Sequence, residues 1–114
     1  MIKVYIASPY TIGDAALNVK VQMDMADKLM NNNFVPFVPL YSHFQQMMHP
    51  RTYDDWLTLD FEWIKVCDCV LRLPGESSGA EKEVEFANFN NILVFYSIED
   101  LCKYYQGTSY QGVK

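Results

Sequence analysis

The sequence predicts a single α/β domain in which a parallel sheet of four to five strands lies between two layers of helices. Short apolar, β-branched runs alternate along the chain with segments of helical periodicity, and short loops join them. The 114 residues, of which 50% are hydrophobic and 15% aromatic, suffice for one core and argue against disorder. We expect this domain to span residues 1–106, followed by a polar tail over 107–114.

The first part of the chain predicts a strand, a helix and a second strand. Residues 2–7 (IKVYIA) form a short β-branched run, as expected of a buried strand. Residues 15–31 have the apolar period of an amphipathic helix. Its predicted core stripe consists of Leu17, Val21, Met25 and Leu29. Residues 34–40 (FVPFVPL) contain two prolines, which predict a strand that is short or lies near a sheet edge.

The second part begins with a segment, 41–52, that shows no period and is predicted to be irregular. A helix over 53–67 follows, and the later elements are a strand over 69–73, a helix that opens within 77–87, a strand over 91–96 and a short helix over 99–105. In parallel sheets, ligands bind beyond the carboxyl ends of the strands. Those ends are predicted to lie at residues 8–10, 40–43 and 74–79.

Charge and the lack of membrane-length apolar runs exclude several kinds of partner. A formal net charge of −5 offers no basic face for a nucleic-acid backbone. No apolar run reaches membrane length, and a strand-like run from residue 2 leads us to expect no signal peptide. The sequence lacks the GxGxxG and GK[ST] patterns, which argues against the usual modes of binding dinucleotides and nucleoside triphosphates.

Cysteine and histidine spacing predicts neither a disulfide framework nor a metal site. Cys67 and Cys69 are too close together for such a framework and are assigned to the core, so a reduced cytoplasmic setting is expected. His43 and His49 lack a recognised ligand spacing. We therefore expect neither a metal nor a cofactor.

Three glutamates alternate in the stretch SSGAEKEVEFA, which begins at Ser77. On a helix with roughly 100° per residue, the apolar stripe consists of Ala80, Val84 and Ala87. Glu83 lies nearest to that stripe, whereas Glu81 and Glu85 point further away from it. We expect the positive helix end to keep Glu83 ionised, and the N–H groups of the first turn to hold an oxygen-rich ligand. The alternative is an ordinary surface helix capped by Ser78, with all three glutamates in solvent.

Asp60 is the one polar member of an otherwise aromatic and apolar helical stripe. The other members of that stripe are Tyr53, Trp56, Trp63 or Ile64, and Cys67. A carboxylate is costly to bury unless it is hydrogen-bonded or faces a cleft. Asp60 is therefore either a functional carboxylate or a structural hydrogen-bond acceptor. Tyr5, near the end of the first strand, is likewise either a core aromatic or a site residue.

Taken together, these stretches resemble the nucleoside 2-deoxyribosyltransferase superfamily, in particular its small bacterial and phage-type members related to 2′-deoxynucleoside 5′-phosphate N-hydrolases. The resemblance is carried by VYIASPY at 4–10, by Asp60 within LDFEWI, and by 77–87, which is similar to the family element G-[TAV]-x-x-E-[LIV]. It covers residues 2–97. It implies a flavodoxin-like (Rossmann-like) three-layer fold. It also implies cleavage of the N-glycosidic bond of a 2′-deoxynucleoside or its 5′-monophosphate, with the sugar passing through a deoxyribosyl-glutamate to another base or to water.

The resemblance also implies roles for individual residues. Glu83 matches the nucleophile, and Tyr5 matches the tyrosine that orients it. Asp60 matches the active-site aspartate, which would protonate the leaving base or hydrogen-bond to it. Substrate contacts are expected from Ser8, Tyr10, Ser77, Ser78 and Gly79. Candidates for stacking on the base are Tyr10, Trp56 and Trp63. The implied partner is a small deoxynucleoside or deoxynucleotide.

The chain departs from the family pattern at two places. Glu85 stands where the family's catalytic helix usually has glycine, and the loop 8–14 lacks the arginine found in members that act on 5′-monophosphates. A non-catalytic nucleotide-binding module of the same fold and a phage-type interaction domain therefore stay open as alternatives. Since family transferases complete each pocket with a neighbouring subunit, we expect a homo-oligomer with the tail near the interface or over a pocket.

Overall fold

A computed structural model of the chain describes residues 1–107. The strands are β1 (Lys3–Ala7), β2 (Val35–Phe37), β3 (Cys69–Arg72) and β4 (Leu93–Phe95). The α-helices are α1 (Ala15–Asn31), α2 (Ser42–Met48), α3 (Tyr53–Lys65), α4 (Ser78–Phe89) and α5 (Ile98–Gln106). A turn of 3₁₀-helix covers Pro39–Tyr41. No helix within residues 1–107 is both long and apolar enough to cross a membrane.

The four strands form one parallel sheet in the order β2-β1-β3-β4. The two central strands, β1 and β3, are buried along almost their whole length. Their register places Tyr5 beside Val70 and Ala7 beside Arg72. Strand β2 is only three residues long and lies at an edge, as its prolines predicted.

Alternation along β1 sends side chains into two cores on opposite faces of the sheet. Val4 and Ile6 pack with residues of α1 and α5, among them Ala26, Leu29 and Leu101. Tyr5 and Ala7 pack with residues of α3 and α4, among them Ile64, Ala80 and Ala87. The predicted three-layer α/β architecture is thereby confirmed. The α3–α4 layer is the one that carries Asp60 and Glu83.

The prediction of an irregular segment over 41–52 was wrong. Helix α2 lies within it, yet none of its seven residues is buried. A helix without a buried face shows no apolar period, so periodicity could not reveal it. Elsewhere, apart from the shorter β2, the element boundaries agree with the predicted ones to within two residues.

The predicted core stripe of α1 was right for Leu29 and for the partly buried Met25 but wrong for Leu17 and Val21, although the bounds of the helix were right. Leu17 and Val21 are 56% and 46% exposed, and the residues that are buried are Val19, Gln22, Ala26 and Leu29. The helix turns a polar side chain inward because Gln22 finds hydrogen-bond partners on β1 and before α2.

Candidate active site

A cleft of about 280 Å³ opens at the carboxyl ends of β1 and β3, beside the start of α4. This is the edge at which parallel sheets bind ligands. The residues that the sequence predicted to be catalytic or substrate-binding and that line the cleft are Ser8, Tyr10, Asp60, Ser77, Ser78, Gly79 and Glu83. Tyr5 lies beneath it, fully buried in the sheet.

Glu83 is held from below by Tyr5. The Tyr5 hydroxyl donates a hydrogen bond of 2.5 Å to Glu83 Oε2, between residues 78 positions apart. Glu83 is only 6% exposed, whereas Glu81 and Glu85 lie on the exposed side of α4. The helical period places Glu83 beside Val84 and the other buried residues of the helix, so this carboxyl faces the sheet and the cleft at once.

Asp60 reaches the same site from α3. It is partly buried, lines the cleft and interacts with both Glu83 and Tyr5. Burial raises the pKa of the Asp60 carboxyl from 3.8 to about 6, and its hydrogen-bonding interactions with Glu83 and Tyr5 limit that rise. Asp60 can therefore carry a proton near neutral pH far more readily than an exposed aspartate.

The surroundings of Glu83 oppose the expectation that the helix end keeps this carboxyl ionised. Burial raises the pKa of the Glu83 carboxyl well above its usual range, and the charge of Asp60 raises it further. The Tyr5 hydrogen bond and the positive charge of Arg72 act in the opposite direction but do not compensate. The reason is that desolvation and a neighbouring like charge outweigh the modest field of a helix end. The two carboxyls thus form a coupled pair that tends to retain one proton.

Gln22 is a residue of the site that sequence reasoning missed. It is fully buried, and its amide donates to Ser8 Oγ at 2.8 Å and to the Ile6 carbonyl at 3.1 Å. Its side-chain oxygen accepts from the Leu40 N–H at 2.9 Å. Gln22 therefore joins the ends of two strands and orients Ser8 at the cleft. Gln22 belongs to a second helical stripe with three- and four-residue spacing, and testing that stripe as the buried face would have identified it. The members of this stripe are Val19, Gln22, Ala26 and Leu29.

Helix α4 begins with Ser77 rather than Ser78 as its cap. Ser77 has extended backbone angles, φ −165° and ψ 114°, and its Oγ accepts from the Ala80 N–H at 3.1 Å. The N–H groups of Ser78 and Gly79 belong to the first turn, which has no intrahelical partners to offer them. Since both residues line the cleft, these groups are available to an oxygen-rich ligand.

The mouth of the cleft is formed by the loop after β1, by α2 and by the start of α3. The Tyr10 hydroxyl lies 2.5 Å from His43 Nδ1, and Trp56 Nε1 donates to Gln46 Oε1. Tyr10 and Trp56 line the cleft as predicted, whereas Trp63 stacks on the sheet residue Phe37 at 4.7 Å between ring centroids and is not part of the lining.

Arg51 brings a positive charge to the cleft from the connection between α2 and α3. The sequence had shown no cation in the loop 8–14, where the family resemblance would have placed one. Arg51 Nε lies 3.2 Å from Asp55 Oδ2, and both side chains are largely exposed.

Among residues 1–107, no three His, Cys, Asp or Glu side chains are grouped so that they could hold a metal ion.

Comparison with known proteins agrees with this architecture. Residues 2–97 match the family described as Domain of unknown function (DUF7768), and the chain belongs to that family. The fold is flavodoxin-like and similar to a solved structure of 2-deoxyribosyltransferase from the psychrotolerant bacterium Bacillus psychrosaccharolyticus. The TM-score is 0.57, with 20% identity over 81% of this chain and 69% of that chain, so the likeness concerns the fold. No curated protein matches the sequence.

Proposed function

We propose that the protein cleaves the N-glycosidic bond of a 2′-deoxynucleoside or its 5′-monophosphate, with Glu83 as the nucleophile. The observation that carries this proposal is the buried Glu83 carboxyl, which is hydrogen-bonded to Tyr5 and coupled to Asp60 at the inner end of a cleft. Enzymes that cleave glycosidic bonds through a covalent intermediate typically use two carboxyl groups in different environments, one as the nucleophile and the other as the general acid and base. The fold shared with a 2-deoxyribosyltransferase is consistent with that chemistry.

In the reactive form the shared proton has moved from Glu83 to Asp60, so that Glu83 is ionised; this is the less populated form of the pair, since burial raises the pKa of Glu83. The Tyr5 hydrogen bond to Oε2 favours this form and leaves Oε1 of Glu83 for attack. Oε1 bonds to C1′ while the C1′–N bond breaks, its electron pair goes to the base, and Asp60 donates its proton to the base. A second base or water then attacks C1′, Asp60 takes up the proton from that acceptor, and Glu83 is released.

The remaining cleft residues suit the sugar and the base. Ser8 Oγ accepts from Gln22 and Ser77 Oγ accepts from Ala80, so each hydroxyl keeps its own proton for donation to a substrate oxygen. Tyr10 and Trp56 offer aromatic surface at the mouth, where a base would stack.

The test is incubation with a panel of 2′-deoxynucleosides and their 5′-monophosphates, with and without a second free base, followed by chromatography of released or exchanged base. We expect turnover, and we expect Glu83→Gln to reduce it by at least about 100-fold because no covalent intermediate can form. The matched control is Glu85→Gln on the exposed side of the same helix, which should keep most of the activity. Equal losses in both variants would contradict the assignment of the nucleophile.

One observation favours a second candidate, a nucleotide-binding module without turnover. Burial raises the pKa of Glu83, and a protonated carboxyl binds oxygen and nitrogen atoms but does not attack C1′. In that case, the same panel would raise the melting temperature of the protein while every nucleotide was recovered intact.

A further inference from the structure

Arg72 is a buried charge at the end of β3 for which the reaction above assigns no role. It is 7% exposed, whereas arginine is seldom buried without a partner. Alternation along β3 places it on the same sheet face as Val70, which packs in the core that contains Tyr5 and Ala7. Arg72 therefore lies on the face covered by α4, the helix that carries Glu83.

The guanidinium of Arg72 binds the β3–α4 loop and the first turn of α4 together. Nη2 donates to Glu81 Oε1 at 2.9 Å and to the Gly75 carbonyl at 2.8 Å, and Nη1 donates to the Leu73 carbonyl. Nε lies 3.3 Å from the same Glu81 oxygen. One side chain thus fixes the loop on which Ser77 stands.

The loop that Arg72 holds packs in turn against the exit of β1. Leu73 N–H donates to the Ala7 carbonyl at 2.8 Å, and a Cβ on Gly75 would lie only 2.6 Å from Pro9 Cγ. Pro9 follows Ser8 directly, so a displaced loop would disturb both sides of the cleft.

Charged and titratable groups approach Glu83 from three elements packed against α4. Tyr5 comes from β1, Asp60 from α3 and Arg72 from β3, while β4 (Leu93–Phe95) carries no titratable side chain. The other nearby charges of α3 and α4 are Asp54, Asp55, Glu62, Lys65, Glu81, Lys82 and Glu85, all with exposed side chains. Among residues 1–107, the cation whose charge acts on the Glu83 carboxyl is Arg72.

We propose that Arg72 is a positioning residue for Glu83: its guanidinium lies on the sheet face that α4 covers and holds the first turn of α4 through Glu81 and the Gly75 carbonyl. Its part in turnover rests on the function proposed above. Because the Glu81 side chain is 63% exposed, solvent weakens its neutralisation of the guanidinium, and part of the positive charge acts on Glu83.

Substitutions at the two ends of this ion pair should move the titration of Glu83 in opposite directions. Arg72→Gln removes the positive charge and should raise the midpoint by about one pH unit, whereas Glu81→Gln leaves the guanidinium less neutralised and should lower the midpoint by about half a unit. Arg72→Lys keeps the charge and should restore a midpoint near that of the parent protein. A merely structural role predicts the same midpoint shift in Arg72→Gln and Arg72→Lys, because either would loosen the site and admit water.

The measurement is a carbon-13 titration of glutamate side-chain carboxyls by NMR, with the Glu83 signal assigned by its loss in Glu83→Gln. It needs no turnover, so the absence of base release would reject the proposed function without touching this inference. If Arg72→Gln does not fold, Arg72→Lys decides: a midpoint near that of the parent protein supports the inference, and a raised midpoint overturns it. A raised or unchanged midpoint in Glu81→Gln, or a shift of the same sign in both glutamine variants, would overturn the inference. Opposite shifts in the titration, matched by shifts of the acidic limb of the pH–rate profile, are the expected result.

Discussion

The carboxyls of Asp60 and Glu83 share a buried site with the Tyr5 hydroxyl, and their chemistry depends on where one proton resides. Burial raises the pKa of both acids, with Asp60 at about 6. An acid with a pKa of about 6 is partly protonated near neutral pH, so it can both donate and accept a proton during one turnover. The site therefore has an acid–base group whose pKa suits the departure of a base from C1′ in the proposed reaction.

Asp60→Asn is expected to lose most activity while stabilising the fold at alkaline pH. The pKa of Asp60 is higher in the folded state, so its contribution to stability is fully present below the unfolded pKa of about 4 and is lost as pH rises through about 6. At about pH 8 the buried charge costs about 2 kcal/mol, allowing for partial exposure, and the neutral amide avoids that cost. Thermal melts at about pH 8 and about pH 5 should show a gain that shrinks as the pH is lowered.

The control for this prediction is Asp54→Asn, which changes an exposed acid in the first turn of the same helix. It should lower stability slightly, since it removes a favourable interaction with the helix end, and leave activity intact. A fall in the melting temperature of Asp60→Asn with unchanged specific activity would identify Asp60 as a structural hydrogen-bond acceptor.

At the scale of elements, the cleft depends on how the loops after β1 and β3 pack together. Gly75 lies at φ +122°, and its Cα faces the Pro9 ring. Gly13 provides a matched comparison, because it has φ +85° but nothing within 4 Å of the place where a Cβ would be. Both positions favour glycine for the backbone, and only Gly75 also favours it for space.

Gly75→Ala should therefore destabilise the protein more than Gly13→Ala. Both variants carry the strain of a positive φ, about 1 kcal/mol, and Gly75→Ala adds about 1–3 kcal/mol for the clash with Pro9. Urea unfolding measures the difference, and Gly75→Ala should also weaken substrate binding because Pro9 adjoins Ser8. Equal losses of stability in the two variants would show that the contact with Pro9 relaxes freely.

At the scale of the whole molecule, exposed apolar side chains of α3 and of Val66, which directly follows it, bear on the expected homo-oligomer. Leu59, Trp63 and Val66 are 44%, 43% and 59% exposed, and their spacing places them along one side of the helix. Exposed apolar side chains that share one side of a helix are typical of an interface between subunits. The predicted contribution of the polar tail to a pocket concerns residues beyond 107, outside the described part of the chain, and stays a prediction.

We expect sedimentation velocity to show an oligomer that Val66→Glu dissociates. A charge at this position would have to be desolvated when a second copy covered α3, and that cost opposes association. Met30→Glu is the control, since Met30 is 63% exposed on α1, on the opposite side of the sheet. A parent protein that sediments as a monomer at high concentration, or equal dissociation in both variants, would contradict this picture.

Local patterns determined the order of the elements, the edge position of β2 and the inward direction of Glu83. Each depends on a property of a short segment: the period of apolar residues, the missing N–H of proline, or the angle between successive helical side chains. Helix α2 was not predicted because none of its residues is buried, so its sequence lacks the apolar period from which a helix is inferred.

Only the tertiary structure decided the direction in which the pKa of Glu83 shifts and which residues surround the cleft. Gln22, Arg51 and Arg72 lie in different elements and reach the cleft or the surroundings of Glu83 through packing that no single segment specifies. The helix-end argument considered one field within α4, whereas the pKa of Glu83 follows from burial and from Asp60, which another helix brings beside it. Desolvation and Coulomb interactions depend on distances through space, and the chain separates these groups by many residues before the sheet brings them together.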